Sequence, residues 1–231
     1  MLSSVSESLE LILDRYAEAR VGEAFGSQHE LWSVFEDLKR TLSNRPSVVA
    51  RPTLRATWSA GQGNWAKVPW IALLEEQETG TTQRGVYCVF LFRQDMSGVY
   101  LTFNQGVTQP KNQHGRPRAH QLLQNKATDL RRLCGDLVKR EFNLDDDIDL
   151  RTDSGLGSDY ENSTVAYKFY EAGQVPTDDL LSEDLEAVLK AYDRYLAHSK
   201  KWKEAIDICR QILSDREAFD SQETGYKREI A

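Results

Sequence analysis

The chain has 231 residues, 40% hydrophobic and 10% aromatic, enough apolar mass for a packed core and too much for a disordered chain. No apolar run reaches membrane-span length and Met1-Leu2-Ser3-Ser4 lacks the order of a signal peptide, so a soluble, cytoplasmic protein is expected. The net charge of −7 argues against a nucleic-acid partner, but Lys39 to Arg140 holds sixteen Lys/Arg against six Asp/Glu, a balance of +10 that leaves −17 elsewhere; this split points to a polyanion-binding face beside acidic helices, or to charge that is uneven along the chain and mixes on folding.

Residues 4 to 20 carry Leu9, Leu11, Ile12, Leu13 and Tyr16 at helical spacing after a Ser-rich start, which predicts an amphipathic helix. A second helix follows "GSQ", with Leu31, Val34, Phe35, Leu38 and Leu42 on one face, and ends before "SNRP". Four strand-like runs come next: "LRATWSA", "PWIALLE", "GVYCVFLFR" and "GVYLTFNQG", the last two joined as a hairpin at Asp95-Met96-Ser97-Gly98. "RPRAHQLLQNKATDLRRLCGDLVKREF" returns to helical period, with Leu122, Leu123, Leu130, Leu133 and Leu137 inward. "DSGLGSDYENS" reads as a turn, "TVAYKFYEAG" as a strand, and "VPTDDLLSEDLEAVLKAYDRYLAHS" as a helix that continues through the tail. The order gives an α+β fold with a central mixed or barrel-like sheet flanked by several helices, divided into a domain over 1–198 and a C-terminal helix and linker over 199–231.

The stretch "SAGQGNWAKVPW", residues 59 to 70, concentrates the chemistry. Gly61-x-Gly63-x-x-Ala66 imitates a dinucleotide fingerprint, but Pro69 and the strand after it leave no room for the helix such a site requires. Trp58 and Trp70, among strand-like apolar residues, are expected in the core. Trp65 lies in a polar loop, with Asn64 before it and Lys67 two residues on. Indole, amide and cation make up the set that an extruded base needs, and a plain structural turn is the alternative. Cys88, Cys134 and Cys209 and the four histidines are scattered, so neither a disulfide framework nor a metal site is indicated, and no cofactor is expected.

"GQGNWAKVPWIALL", "GVYCVFLFRQDMSGVYLTFNQGVTQ" and "NSTVAYKFYEAGQVP", in this order, resemble the MrcB-like N-terminal domain family, the amino-terminal domain of McrB-like, modification-dependent restriction proteins. The resemblance covers about Leu9 to Leu196. It implies recognition of double-stranded DNA, with a methylated or otherwise modified base, beside a motor or nuclease domain or subunit that supplies the catalysis, in a bacterial anti-phage defence. By analogy with recognition folds of the PUA-like, YTH-like and EVE-like kinds, Trp65 would stack on a flipped base. Asn64 and Ser59 would meet its edge, Tyr87 or Tyr100 would form another wall, and Asn104 and Gln105 would reach it from a strand end. Lys67, Lys111, Arg116, Arg118, Arg131 and Arg132 would hold phosphates.

Two other classes compete. "LDDDIDLRTD", with Glu161 and Lys168, could hold Mg²⁺ for a nuclease, although its spacing matches no nuclease motif. The acidic helix from Asp178 to Asp193 and the tail with Trp202 and Ile206 could dock another protein of a defence complex.

Overall fold

The structure is a computed structural model that describes residues 4–229, with side chains in the last helix described to 216 except 203 and 215. The chain divides into two compact units, Met1–Tyr192 and Asp193–Ala231. The first holds the sheet and all the sites below.

Helix α1 (Val5–Gly22) opens on a capping box in which the Ser4 hydroxyl accepts from Glu7 N and the Glu7 carboxylate accepts from Ser4 N. Leu9, Ile12, Leu13, Tyr16 and Ala19 form its buried face, the stripe that the spacing anticipates. Helix α2 (Glu30–Ser43) is capped by His29, whose Nδ1 accepts from Leu31 N while Nε2 bonds Glu23, so the proton sits on Nε2. A single helical turn, α3 (Pro46–Val49), leads into the sheet.

The sheet is open and wholly antiparallel, neither mixed nor a barrel. Its strands follow chain order: β1 (Leu54–Gly61), β2 (Trp65–Glu75), β3 (Val86–Phe92), β4 (Gly98–Gln105) and β5 (Thr164–Glu171). Links of three, ten and five residues join the first four, each shorter than a parallel crossover needs. β3 and β4 are buried along their whole length, so both faces of the sheet are covered. On one face Ile71, Phe90, Phe92 and Phe103 meet α1, α2 and the start of α7 (Asp178–Glu229), with Phe35 against Phe92 and Tyr192 against Phe103. On the other, Val68, Ala72, Tyr87, Val89, Leu91, Tyr100 and Tyr167 pack under Ile148 and Leu150.

Between β4 and β5 lie α4 (Thr108–His114), α5 (Arg116–Arg131), a short 3-10 turn (Gly135–Arg140) and α6 (Gly155–Ser163). The long helix read from Arg116 to Phe142 is therefore broken. Arg131 turns its guanidinium onto Val165 O and Asp145 O, and Glu141 adopts a left-handed conformation at φ +64. "DSGLGSDYENS" is helix, not turn: Ser154 caps it by accepting from Gly157 N, and Asp159 anchors its buried side.

The two sheet edges differ. β5 is closed by Asn143, which exchanges both backbone hydrogen bonds with Tyr167, and by Arg131 on Val165 O. β1 pairs with β2 alone, and its other side is half-exposed from Thr57 to Ser59. An open edge of this kind calls for cover or use. In the second unit, which is helical through its described residues, Trp202, Ile206, Ile208, Ile212 and Leu213 are exposed.

Candidate functional site

The β1–β2 connection is a tight turn in which Gly61 pairs with Trp65 and only Gln62, Gly63 and Asn64 lie between. Gly61 has φ +131, and a Cβ there would stand 1.9 Å from Asn64 O, so the turn closes only on glycine. Gly61→Ala should cost at least ~2 kcal/mol of stability, measurable by urea unfolding; a cost under ~0.5 kcal/mol would contradict this geometry. The register slips between Ser59 and Gly61, which leaves Pro69 outside the paired rungs, where its missing N–H costs no ladder bond.

Trp65 sits among the rings of the α1–α2 junction. It is edge-on to Tyr16 at 5.3 Å, Phe25 at 5.2 Å and His29 at 4.8 Å, and its indole N–H donates to Glu23 O. The Tyr16 hydroxyl lies 2.9 Å from Ala60 O and 3.0 Å from Ala66 O, tying both arms of the turn to α1, and burial pushes its pKa above the ordinary phenol value. Trp65 therefore braces the turn. Asn64 is exposed at its tip.

The recess lies beside the turn, along the open edge of β1. It has a volume of about 440 Å³, and its walls include Trp32, Trp58 and Trp70 with Ser59, Gln62 and Thr82. Ser59 and Trp70 are cross-strand partners, so hydroxyl and indole share one face. Trp70 and Tyr160 pack against the same core cluster, and burial holds the Tyr160 pKa up at about 12. Trp58 stacks on Phe35 at 4.9 Å and donates its N–H to Glu36 at 2.8 Å. Trp58 and Trp70 are thus half-buried: Trp70 packs against the core cluster and Trp58 on buried Phe35, as expected, and each also lines the recess. Their strand-like neighbours concealed this, since alternation reports which face a side chain takes and not whether that face is covered at the edge.

The other anticipated site residues are dispersed. Tyr87 is buried in the sheet core and donates to Thr82 O, and Tyr100 donates to Asp149 O while accepting from Arg93. Asn104 and Gln105 are buried at the end of β4, beside Ser163. Ser59 alone of the seven lines the β1 groove, with Asn64 and Trp65 at the adjoining turn.

The cations divide into tethered and exposed. Lys111, Arg116 and His120 converge on Asp159 at 2.6, 2.8 and 2.7 Å, and Asp159 is only 1% exposed. Burial pulls its carboxyl upward, but hydrogen bonds from these three partners outweigh that and hold it below the usual carboxylate range. Arg131 is a structural tie, as above. Lys67 pairs with Asp153 at the surface, and Arg118 and Arg132 are exposed. α5 begins without a side-chain cap and without an acidic residue in its first turn, an arrangement whose dipole favours an anion there.

The residues read as a metal site have other employment: Asp145 accepts from the Tyr167 hydroxyl, Asp146 pairs with Arg131, Glu161 accepts from Leu150 N, and Lys168 pairs with buried Asp184 at 3.0 Å. Among the described residues no three His, Cys, Asp or Glu side chains stand together as a metal site, and no helix is long and apolar enough to cross a membrane. No curated protein matches the chain. The family model described as the MrcB-like N-terminal domain matches residues 11–197, a span that takes in all five strands, and the chain belongs to this family of McrB-like, restriction-associated domains.

Proposed function

We propose that the chain is the DNA-binding specificity domain of a modification-dependent restriction system, and that it reads a modified, methylated base by receiving it, flipped, in the β1 groove. The observation that carries this reading is the groove itself: three tryptophans beside a hydroxyl and an exposed amide, along a strand that pairs with β2 alone. Extruding a base costs a few kcal/mol, and stacking on an aromatic ring returns about 1–3 kcal/mol. Hydrogen bonds to the base edge must supply the remainder and the selectivity.

Trp70 is the stacking ring, on the sheet face it shares with Ser59, while Trp58 and Trp32 line the recess from the α2 side of the β1 edge. Ser59 and Gln62 meet the base edge, and Asn64 stands at the turn where the displaced strand would pass. Trp65 acts indirectly by bracing that turn. Phosphate contacts fall to Lys67, Arg118 and Arg132, and to the Lys111 and Arg116 cluster at the uncapped start of α5. The family membership supports recognition without catalysis in this domain, with a motor or nuclease module as its partner. The exposed apolar side chains of the second unit, Trp202 and Ile206 among them, suit contact with such a partner.

Competition binding tests this reading. At low salt the chain should prefer a duplex bearing the recognised methylated base over its unmodified twin by roughly tenfold or more, as expected for about 1–3 kcal/mol at one base pair. Affinity for both should fall steeply with salt. Failure to bind DNA at about 50 mM salt would overturn the reading. So would equal affinity for unmodified duplex and for every methylated duplex.

A further inference from the structure

A second cavity lies across the β2–β3 loop from the groove. Thr81, Thr82 and Gln83 line the groove, whereas the next two residues, Arg84 and Gly85, line this cavity together with Gln105, Gln109, Gln113, His114 and Lys126. Its volume is about 240 Å³. Two backbone bonds build it, Gly106 N to Gly85 O and Gln109 N to Gln83 O, which bolt the loop to the start of α4. A Cβ on Gly106 would stand 2.2 Å from Arg84 N, so only glycine lets the two segments meet here.

Three features of the lining define what it can hold. It contains no Asp or Glu, while Arg84, Lys126 and His114 stand exposed around it, so the mouth favours an anion. Its walls carry three glutamine side chains, groups that hydrogen-bond in both directions. Gln105 is 1% exposed, and its Nε2 is held by Leu123 O at 2.9 Å and Ser163 O at 3.3 Å, which leaves Oε1 as a buried acceptor without a partner. A buried orphan acceptor is a cost that the native state carries unless a donor arrives. An inorganic phosphate dianion has a single O–H among acceptor oxygens and could satisfy Oε1 only by carrying its charge to that buried carbonyl. A nucleobase brings an N–H edge, and its phosphate brings the charge that Arg84 and Lys126 favour.

We propose that this cavity is a second, nucleotide-binding site, taking one nucleobase with an N–H on Gln105 Oε1 and its attached phosphate at Arg84 and Lys126. The proposal goes beyond the groove reading and does not depend on it, because the cavity is lined by different residues. The nucleotide is either free or part of a strand whose neighbouring base approaches the groove; both present the same chemistry.

Titration of the full chain with deoxynucleoside 5′-monophosphates, followed by amide chemical shifts, tests it. At least one mononucleotide should shift Gly85, Gly106 and Gln113 with a dissociation constant below about 10 mM, and inorganic phosphate should bind more weakly. Arg84→Ala and Gln105→Met should each weaken binding about fivefold or more, the loss expected for one hydrogen bond, while Arg40→Ala changes nothing. Arg84 is exposed, so its variant keeps the result readable if Gln105→Met does not fold. A short single-stranded oligonucleotide that reaches the same amides more tightly than the mononucleotide assigns the source to a strand, and the reverse assigns it to a free nucleotide. Phosphate binding as tightly as every mononucleotide, binding unchanged in Arg84→Ala, or no shift at these amides with any mononucleotide would overturn the proposal. Because no duplex is used, the outcome stays separate from that of the methylated-duplex competition.

Discussion

Trp70→Ala is expected to abolish the preference for methylated over unmodified duplex while leaving most of the salt-dependent affinity in place. The ring lines the groove from β2, next to Ser59 across the strand pair, and packs against the core cluster beneath it. Removing it deletes a stacking surface of about 1–3 kcal/mol, a loss of roughly 5- to 150-fold in affinity for the methylated site. Phosphate contacts lie elsewhere and should survive, so unmodified duplex should bind nearly as before. Trp65→Ala should behave differently. It loosens the turn, and its effect should appear as lowered thermal stability together with weaker binding. Parallel titrations of the two variants against both duplexes, with melting curves, separate the roles; equal loss of affinity for both duplexes in Trp70→Ala would count against the groove as the reader.

Asp159→Ala should produce the largest loss of stability among surface-proximal variants. The carboxylate is buried, and removing it leaves Lys111, Arg116 and His120 facing one another without a counter-charge. Breaking a buried ion pair from one side costs about 3–5 kcal/mol. Because Lys111 and Arg116 keep partial access to water, about 2–3 kcal/mol is expected, or a melting temperature lower by about 4–12 °C. The pH dependence follows from the depressed carboxyl. Its stabilisation is present above the unfolded carboxylate pKa of about 4 and is lost as pH falls through the lower folded value. The gap between wild type and variant should therefore be full at pH 7 and should narrow below about pH 4. A variant as stable as wild type at pH 7, or a gap that grows in acid, would contradict the account.

The periodic elements were legible in the sequence because apolar spacing is set by burial: α1, α2, four of the strands and the start of α7 stand where period and turn residues put them, whereas β2 begins at Trp65, four residues before the expected Pro69 and inside the stretch read as a loop. Strand pairing was less legible. Alternation marks faces but carries no direction, so a mixed sheet and an open antiparallel one look alike until hairpin lengths are read as forcing antiparallel neighbours. α6 escaped notice because glycine and serine mark turns by composition, whereas here Ser154 serves as a cap and Asp159 as a buried anchor.

The candidate site was half legible. Gly61 and the turn stand out in sequence, since φ +131 demands glycine. Trp65 drew attention because its neighbours are polar, yet the rings that enclose it come from Tyr16, Phe25 and His29, far away in the chain. Trp70 was hidden by Ile71, Ala72 and Leu73, whose burial says nothing about a residue at the open end of the same strand. The tethering of Lys111 and Arg116 to Asp159 was equally invisible, because it joins α4, α5 and α6 across more than forty residues.

The central claim, that a modified base leaves the duplex and enters the groove along β1, is tested most directly by the structure of the chain bound to a methylated duplex. The account predicts the methylated base outside the helix, its ring against Trp70 and its edge within hydrogen-bonding distance of Ser59 or Gln62. A methylated base still stacked and paired in the duplex, with the groove empty, would contradict it.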